Sequence, residues 1–234
     1  MIRIKDILFF FIIIITFVIC IYSTGNLFES YESSIDNNLK FVFNYIDKND
    51  SIFSGLNTIS YIIQFSILLF YYIYITISNF GVTRPYRSMI LLRFGARTKY
   101  ISAMIKGGFI SCIKGLVFII ASFSGSYLII NQSFNINSDQ VVLILLLLLN
   151  MFIFMFELSL LSIFLTIRYN DFITIISGIL IINCFLSADV VLEHVNIITY
   201  GSLQNLLASS FILLLICLSL RIFISSIVKK TEII

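Results

Sequence analysis

Two charged residues sit inside runs of otherwise apolar sequence. Lys114 interrupts the run from Gly108 to Ile130, and Glu157 interrupts the leucine-rich run from Gln140 to Ile167. Glu157 lies about ten residues before the end of its run, roughly 15 Å in along a helix. A carboxylate near a bilayer centre costs about 2.5–3.5 kcal/mol on the gentlest scale. It must face protein or water, carry a proton, or meet a cation. Lys114 lies about eight residues past Lys106, roughly 12 Å in, and its stem can snorkel. Lys114 and Glu157 are therefore candidates for an intramembrane charge pair. Such a pair glues two helices in one reading and lines a substrate path in the other.

The remaining reactive residues assemble no further chemistry. His194 follows Glu193, but it is the lone histidine and has no second ligand one helical turn away. No metal site is expected there. Ser124, Gly125 and Ser126 read as a small-residue helix-packing patch before a nucleophile, since no base sits near. Cys20, Cys112, Cys184 and Cys217 fall inside apolar runs without a C-x-x-C spacing. They read as small buried hydrophobes. Gly107 and Gly108 precede Lys114 at the wrong spacing for a phosphate-binding G-x-x-x-x-G-K-[ST] loop. The expectation is a chain without catalytic, metal or cofactor-binding residues, and without a nucleic-acid partner.

One stretch is polar and strongly basic. Phe80 to Lys106 holds Arg84, Arg87, Arg93, Arg97, Lys99 and Lys106, with no Asp or Glu, and the only proline, Pro85. Thr83 can cap a helix that starts near Pro85, where a missing N–H costs nothing. Tyr86, Ile90 and Phe94 then share a face, and Gly95 is a natural break. Ala96 to Ile105 can run on into the next apolar run. A solvated basic loop near anionic lipid headgroups is one reading. A short amphipathic helix held in a groove of a partner protein is the other.

The elements that must position these residues follow from composition. The 234 residues are 59% hydrophobic and only 12% charged, with a mean hydropathy of +1.06. Soluble domains carry about 25% charged residues. Too much apolar surface is present to hide from water in one core, so an all-α membrane protein is expected. Six spans are read: 7–22, 61–77, 108–130, 140–167, 172–186 and 206–228. The first is an uncleaved span rather than a signal peptide, since no A-x-A site follows it. The fifth is barely long enough for ~30 Å of hydrocarbon at ~1.5 Å per residue. Between the first two spans, Phe28, Tyr31, Ile35, Leu39, Val42 and Ile46 recur at steps of three and four. That spacing marks one face of an amphipathic helix.

Charge sets the orientation. With six spans, both termini share a side with Arg3, Lys5, the basic segment, Arg168, Lys229 and Lys230. The other side receives only Lys40 and Lys48 and most of the acidic residues. The positive-inside rule then makes both termini cytoplasmic. The whole chain, 1–234, reads as a single domain in the cell membrane.

The stretch from Met89 to Tyr100 resembles the first cytoplasmic loop of small ABC-2-type permeases. These belong to the bacteriocin-immunity and peptide-export systems of Gram-positive bacteria. The matching positions are Arg93, Phe94, Gly95, Ala96, Arg97 and Lys99. The six-span arrangement is also similar. So are the large first exterior loop and the connector before the last span, where Val190 to Ile198 match short re-entrant helices. The chain departs from such permeases in having only a few residues before its first span. The resemblance implies a cytoplasmic coupling helix between spans two and three. Its contact residues would be Pro85, Tyr86, Arg87, Ile90, Arg93, Phe94, Gly95, Arg97 and Lys99. It further implies an ABC ATPase subunit that holds the ATP, and a second permease, either a homodimer mate or a sister chain. An amphipathic or lipid-like peptide would be exported or extracted from the lipid. An ATP-independent immunity or sensor protein that binds a membrane-active peptide is the alternative.

Overall fold

Apolar runs without proline have one way to satisfy their backbone away from water, which is to form helices. The computed structural model describes residues 4–27, 55–83, 94–131, 138–169, 171–191 and 203–230. These form α1 (Ile4–Leu27), α2 (Gly55–Thr83), α3 (Phe94–Asn131), α4 (Ser138–Arg168), α5 (Asp171–Val191) and α6 (Leu203–Lys230). No strand occurs among the described residues. Each expected span lies inside one of these helices. Among the described residues, three stretches are long and apolar enough to cross a membrane: Ile101–Ile129, Gln140–Thr166 and Leu203–Ile224. Those at Ile7–Ile19, Tyr61–Ile77 and Phe172–Ala188 are apolar but shorter.

Two boundaries differ from the sequence reading. Thr83 ends α2 instead of opening a new helix. Arg84 precedes Pro85, and the proline ring disfavours helical backbone at the residue before it. Gly95 is not a break, because α3 begins at Phe94 and continues unbroken to Asn131. A glycine in the first turn interrupts no completed hydrogen-bonded ladder, so it does not stop the helix there. The expected amphipathic stretch from Phe28 to Ile46 lies outside the described residues. So does His194, and so does all of the expected re-entrant segment after Val191.

Side-chain pairings set the helix directions. Phe10 meets Phe118 and Phe17 meets Phe123, with ring centroids 5.2 and 5.7 Å apart, so α1 and α3 run the same way. Tyr72 reaches Thr174 while Tyr61 reaches Asn183, so α2 and α5 run opposite ways. Gly108 faces Ser159 and Gly115 faces Met155, so α3 and α4 are also opposed. Thr76 meets Ser162, and Tyr71 and Met155 both close on Gly115, so α2 and α4 run together. Asn150 meets Leu206 and Phe164 meets Phe223, so α4 and α6 run together. Direction thus alternates along the chain. The start of α1, the end of α2, the start of α3, the end of α4 and the end of α6 share one end of the bundle.

The central helix is α4, which packs on α2, α3, α5 and α6. From Asn150 onward its buried positions run around the helix: Met151, Ile153, Phe154, Met155, Glu157, Leu158, Ser159 and Leu160 among them. The outer helices bury one stripe each. On α1 it is Phe9, Ile13 and Phe17; on α6 it is Leu206, Ser209, Ser210 and Leu213. Such stripes recur at steps of three and four. The outward faces carry large apolar side chains, including Phe11, Ile129, Phe172, Phe211 and Ile222. A water-facing surface rarely exposes apolar side chains this continuously.

Three glycines bring helices close. A Cβ at Gly115 would sit 2.7 Å from both Met155 Cε and Tyr71 Cε2. At Gly108 it would strike Ser159 Oγ, and at Gly178 the ring of Tyr72. Small residues at such crossings let backbones approach. The expected patch at Ser124–Ser126 is not one of them, since a Cβ at Gly125 meets nothing within 4 Å.

Candidate functional site: the polar seam between α4 and α6

Asn150 and Glu157 are seven residues apart, two helical turns, and so share one face of α4. Across from them on α6 stand Ser210 and Cys217, again seven apart. The parallel run of α4 and α6 matches the two pairs level by level.

The first level is a closed hydrogen-bonded clasp. Asn150 Nδ2 donates to the Leu206 carbonyl at 3.1 Å. Ser210 Oγ lies 2.6 Å from Asn150 Oδ1 and 2.9 Å from the same Leu206 carbonyl. Asn150 is fully enclosed, so these bonds replace water that cannot reach it. The clasp ties α6 to α4 at one level.

The second level is not closed. Glu157 is only 4% exposed. Its Oε1 accepts no hydrogen bond from Lys114 or from any other described residue. The expected link between these two residues is therefore not made through that oxygen. Lys114 sits half-buried on α3 and has an interaction of its own. Glu157 instead looks toward α6, where Cys217 lies within its electrostatic reach and within that of Arg221, one turn further on. Sequence separation and depth suggested Lys114, whereas the heptad spacing from Asn150 puts Glu157 on the face of α4 that meets α6.

Other buried polar groups hold the far side of α4. Thr76 Oγ1 and Ser162 Oγ lie 3.1 Å apart and share a hydrogen bond between α2 and α4. Tyr72 donates to the Thr174 carbonyl at 2.8 Å. Tyr71 donates to Cys112 Sγ at 2.8 Å, so this cysteine is a buried acceptor as well as a small apolar group. Cys112, Cys184 and Cys217 are free thiols. Among the described residues, no three His, Cys, Asp or Glu side chains gather into a metal site.

The basic segment is only partly described. Pro85, Tyr86, Arg87, Ile90 and Arg93 lie outside the described residues. Phe94, Gly95, Arg97 and Lys99 occupy the first turns of α3. The seam residues Asn150, Ser210 and Cys217 were missed as a group by the sequence reading. The available signal was the polar Asn150 inside a run of leucines, at heptad spacing from Glu157.

No family model matches this chain, and no curated protein or solved structure matches it either.

Proposed function

We propose that this chain is the membrane-spanning subunit of an ABC-type exporter in the cell membrane, with six spans and both termini cytoplasmic. It moves or extracts an amphipathic or lipid-like peptide and is driven by ATP bound on a separate ATPase subunit. It works beside a second permease, either another copy or a sister chain, and performs no catalysis of its own.

The observation that carries this reading is the continuity of α3. The helix has 38 residues, about 57 Å at 1.5 Å per residue, against ~30 Å of hydrocarbon. Its first turns, with Arg97 and Lys99, belong to the basic segment, and its middle is locked against α4 at Gly108 and Gly115. A force applied at Phe94 therefore reaches the central helix through one rigid rod. The alternating directions add support. They put Lys5, the ends flanking residues 84–93, Arg168 and Lys230 at one end of the bundle. That charge bias suits the cytoplasmic side.

In this reading residues 85–95 form the coupling helix, with Tyr86, Ile90 and Phe94 in a groove of the ATPase. Two or three apolar anchors dominate such contacts. Arg87, Arg93, Arg97 and Lys99 steer it by charge. The test is capture of an ATPase subunit from native membranes by the tagged, detergent-solubilised chain. Ile90→Asp and Phe94→Asp abolish capture while the thermal melt of the bundle stays unchanged. Reversing Arg93 and Arg97 to Glu weakens capture, more so at low salt. Retention of the ATPase by all these variants, or capture of none by the wild type, overturns the reading. The second of these outcomes leaves the ATP-independent binding protein.

A further inference from the structure

The Glu157 level of the α4–α6 seam has no role in the coupling just described. Its carboxyl is almost wholly enclosed, and one of its oxygens has no hydrogen bond among the described residues. The neighbouring Asn150 level shows what a finished structural contact looks like here, with donor and acceptor both used. A polar group kept enclosed and unsatisfied in an apolar bundle is costly. Other enclosed atoms share this state, among them the neutral amide oxygen of Gln64. Ser122 and Ser126 on α3 also lack hydrogen bonds, but a serine hydroxyl selects no ligand charge. Ser159 lies against Gly108 with no space beside it. Only Glu157 combines enclosure, an open acceptor and a charge-bearing group that specifies its ligand.

The surroundings define the rest of that ligand. Helix α6 packs extensively on α4 alone, so the seam is bordered by the helix with the fewest neighbours. Beyond the seam, α6 turns Phe211, Leu214, Leu218 and Ile222 outward. A molecule arriving from the hydrocarbon meets apolar side chains first and the carboxyl last. The complement is a hydrophobic body bearing one positive charge.

We propose that Glu157 anchors the positive group of an amphipathic organic cation that enters between α4 and α6. This deepens the transporter reading, on which its substrate path rests, by giving the substrate a charge. A basic side chain or amino terminus on a hydrophobic peptide has this chemistry. The Asn150 clasp holds α6 at one level while the Glu157 level opens to admit the charge.

The probe is tetraphenylphosphonium, a hydrophobic monovalent cation, added to the purified full chain in lipid nanodiscs, with empty nanodiscs measuring partition into lipid. Wild type binds it saturably in equilibrium dialysis. Glu157→Gln binds it about 10- to 100-fold more weakly, as when a charge-assisted contact is lost, while melting no lower than wild type. Glu157→Asp keeps part of the affinity, and Lys114→Gln keeps all of it. The cation also raises the melting temperature of wild type but not of Glu157→Gln. Absence of saturable binding, or equal binding by wild type and Glu157→Gln, overturns the inference. ATPase capture is scored on the same preparations. Capture without cation binding removes only this inference, and cation binding without capture removes only the transporter reading.

Discussion

Where α2 meets α4 and α5, buried polar atoms find each other: Thr76 with Ser162, and Tyr72 with the Thr174 carbonyl. Where α6 meets α4, the Asn150 level is satisfied in the same way, but the Glu157 level leaves an oxygen unused. Both regions border α4 and are similarly enclosed. The first behaves as a structural joint, in which each polar group stabilises by having a partner. The second keeps a polar group whose enclosure costs stability. Buried polarity in this bundle therefore has two uses, and hydrogen-bond completeness separates them.

The comparison can be broken most strongly at Gly178. A side chain there strikes the ring of Tyr72, which is fully buried and anchored to Thr174. Gly178→Val should destabilise the α2–α5 joint by about 3 kcal/mol or more, at the upper end of overpacking costs. A thermal melt of the purified chain, with α5 protease sensitivity as a local readout, checks this.

The next effect has the opposite sign. Glu157→Leu removes an enclosed carboxylate whose Oε1 is unsatisfied, and should stabilise the chain by about 2 kcal/mol. The same substitution logic at the other joint, Asn150→Leu, should destabilise by about 1–2 kcal/mol. It removes both hydrogen bonds that Asn150 makes across the seam and leaves Ser210 with the Leu206 carbonyl alone. Parallel melts of the two variants decide the matter. If both fall, the seam is a single structural joint and the contrast disappears.

Smaller again is Tyr72→Phe, which removes one hydrogen bond to Thr174 and should cost about 1 kcal/mol. The finest test is a double-mutant cycle of Lys114→Ala with Glu157→Gln. Glu157 looks toward α6, so the two changes should add to within about 0.5 kcal/mol. A larger interaction term would show that they meet after all.

Much of the fold was legible because helix formation in apolar sequence is a local matter. All six stretches read as spans fall inside observed helices, whereas Thr83 was read as opening a helix and instead ends α2, two residues before Pro85. The length of α3 was less legible. Gly95 reads as a punctuation mark, yet a glycine in the first turn has no completed ladder to interrupt.

What the sequence determined by itself is the all-helical class and the depth of Glu157 along its helix, together with the grouping of basic residues between Phe80 and Lys106. These depend on composition and on distance along the chain. Only the tertiary structure decided which way Glu157 points and that Asn150 is its companion. It also decided that the close crossings are at Gly108, Gly115 and Gly178 rather than at Gly125. The physical reason is that α4 is buried on nearly every face from Asn150 to Thr166. A helix with one apolar stripe announces its orientation in its sequence, whereas one enclosed all round has no polar face to mark it. Its rotation is then fixed by steric fit against four neighbours at once, and that fit is a property of the packed bundle rather than of any one segment.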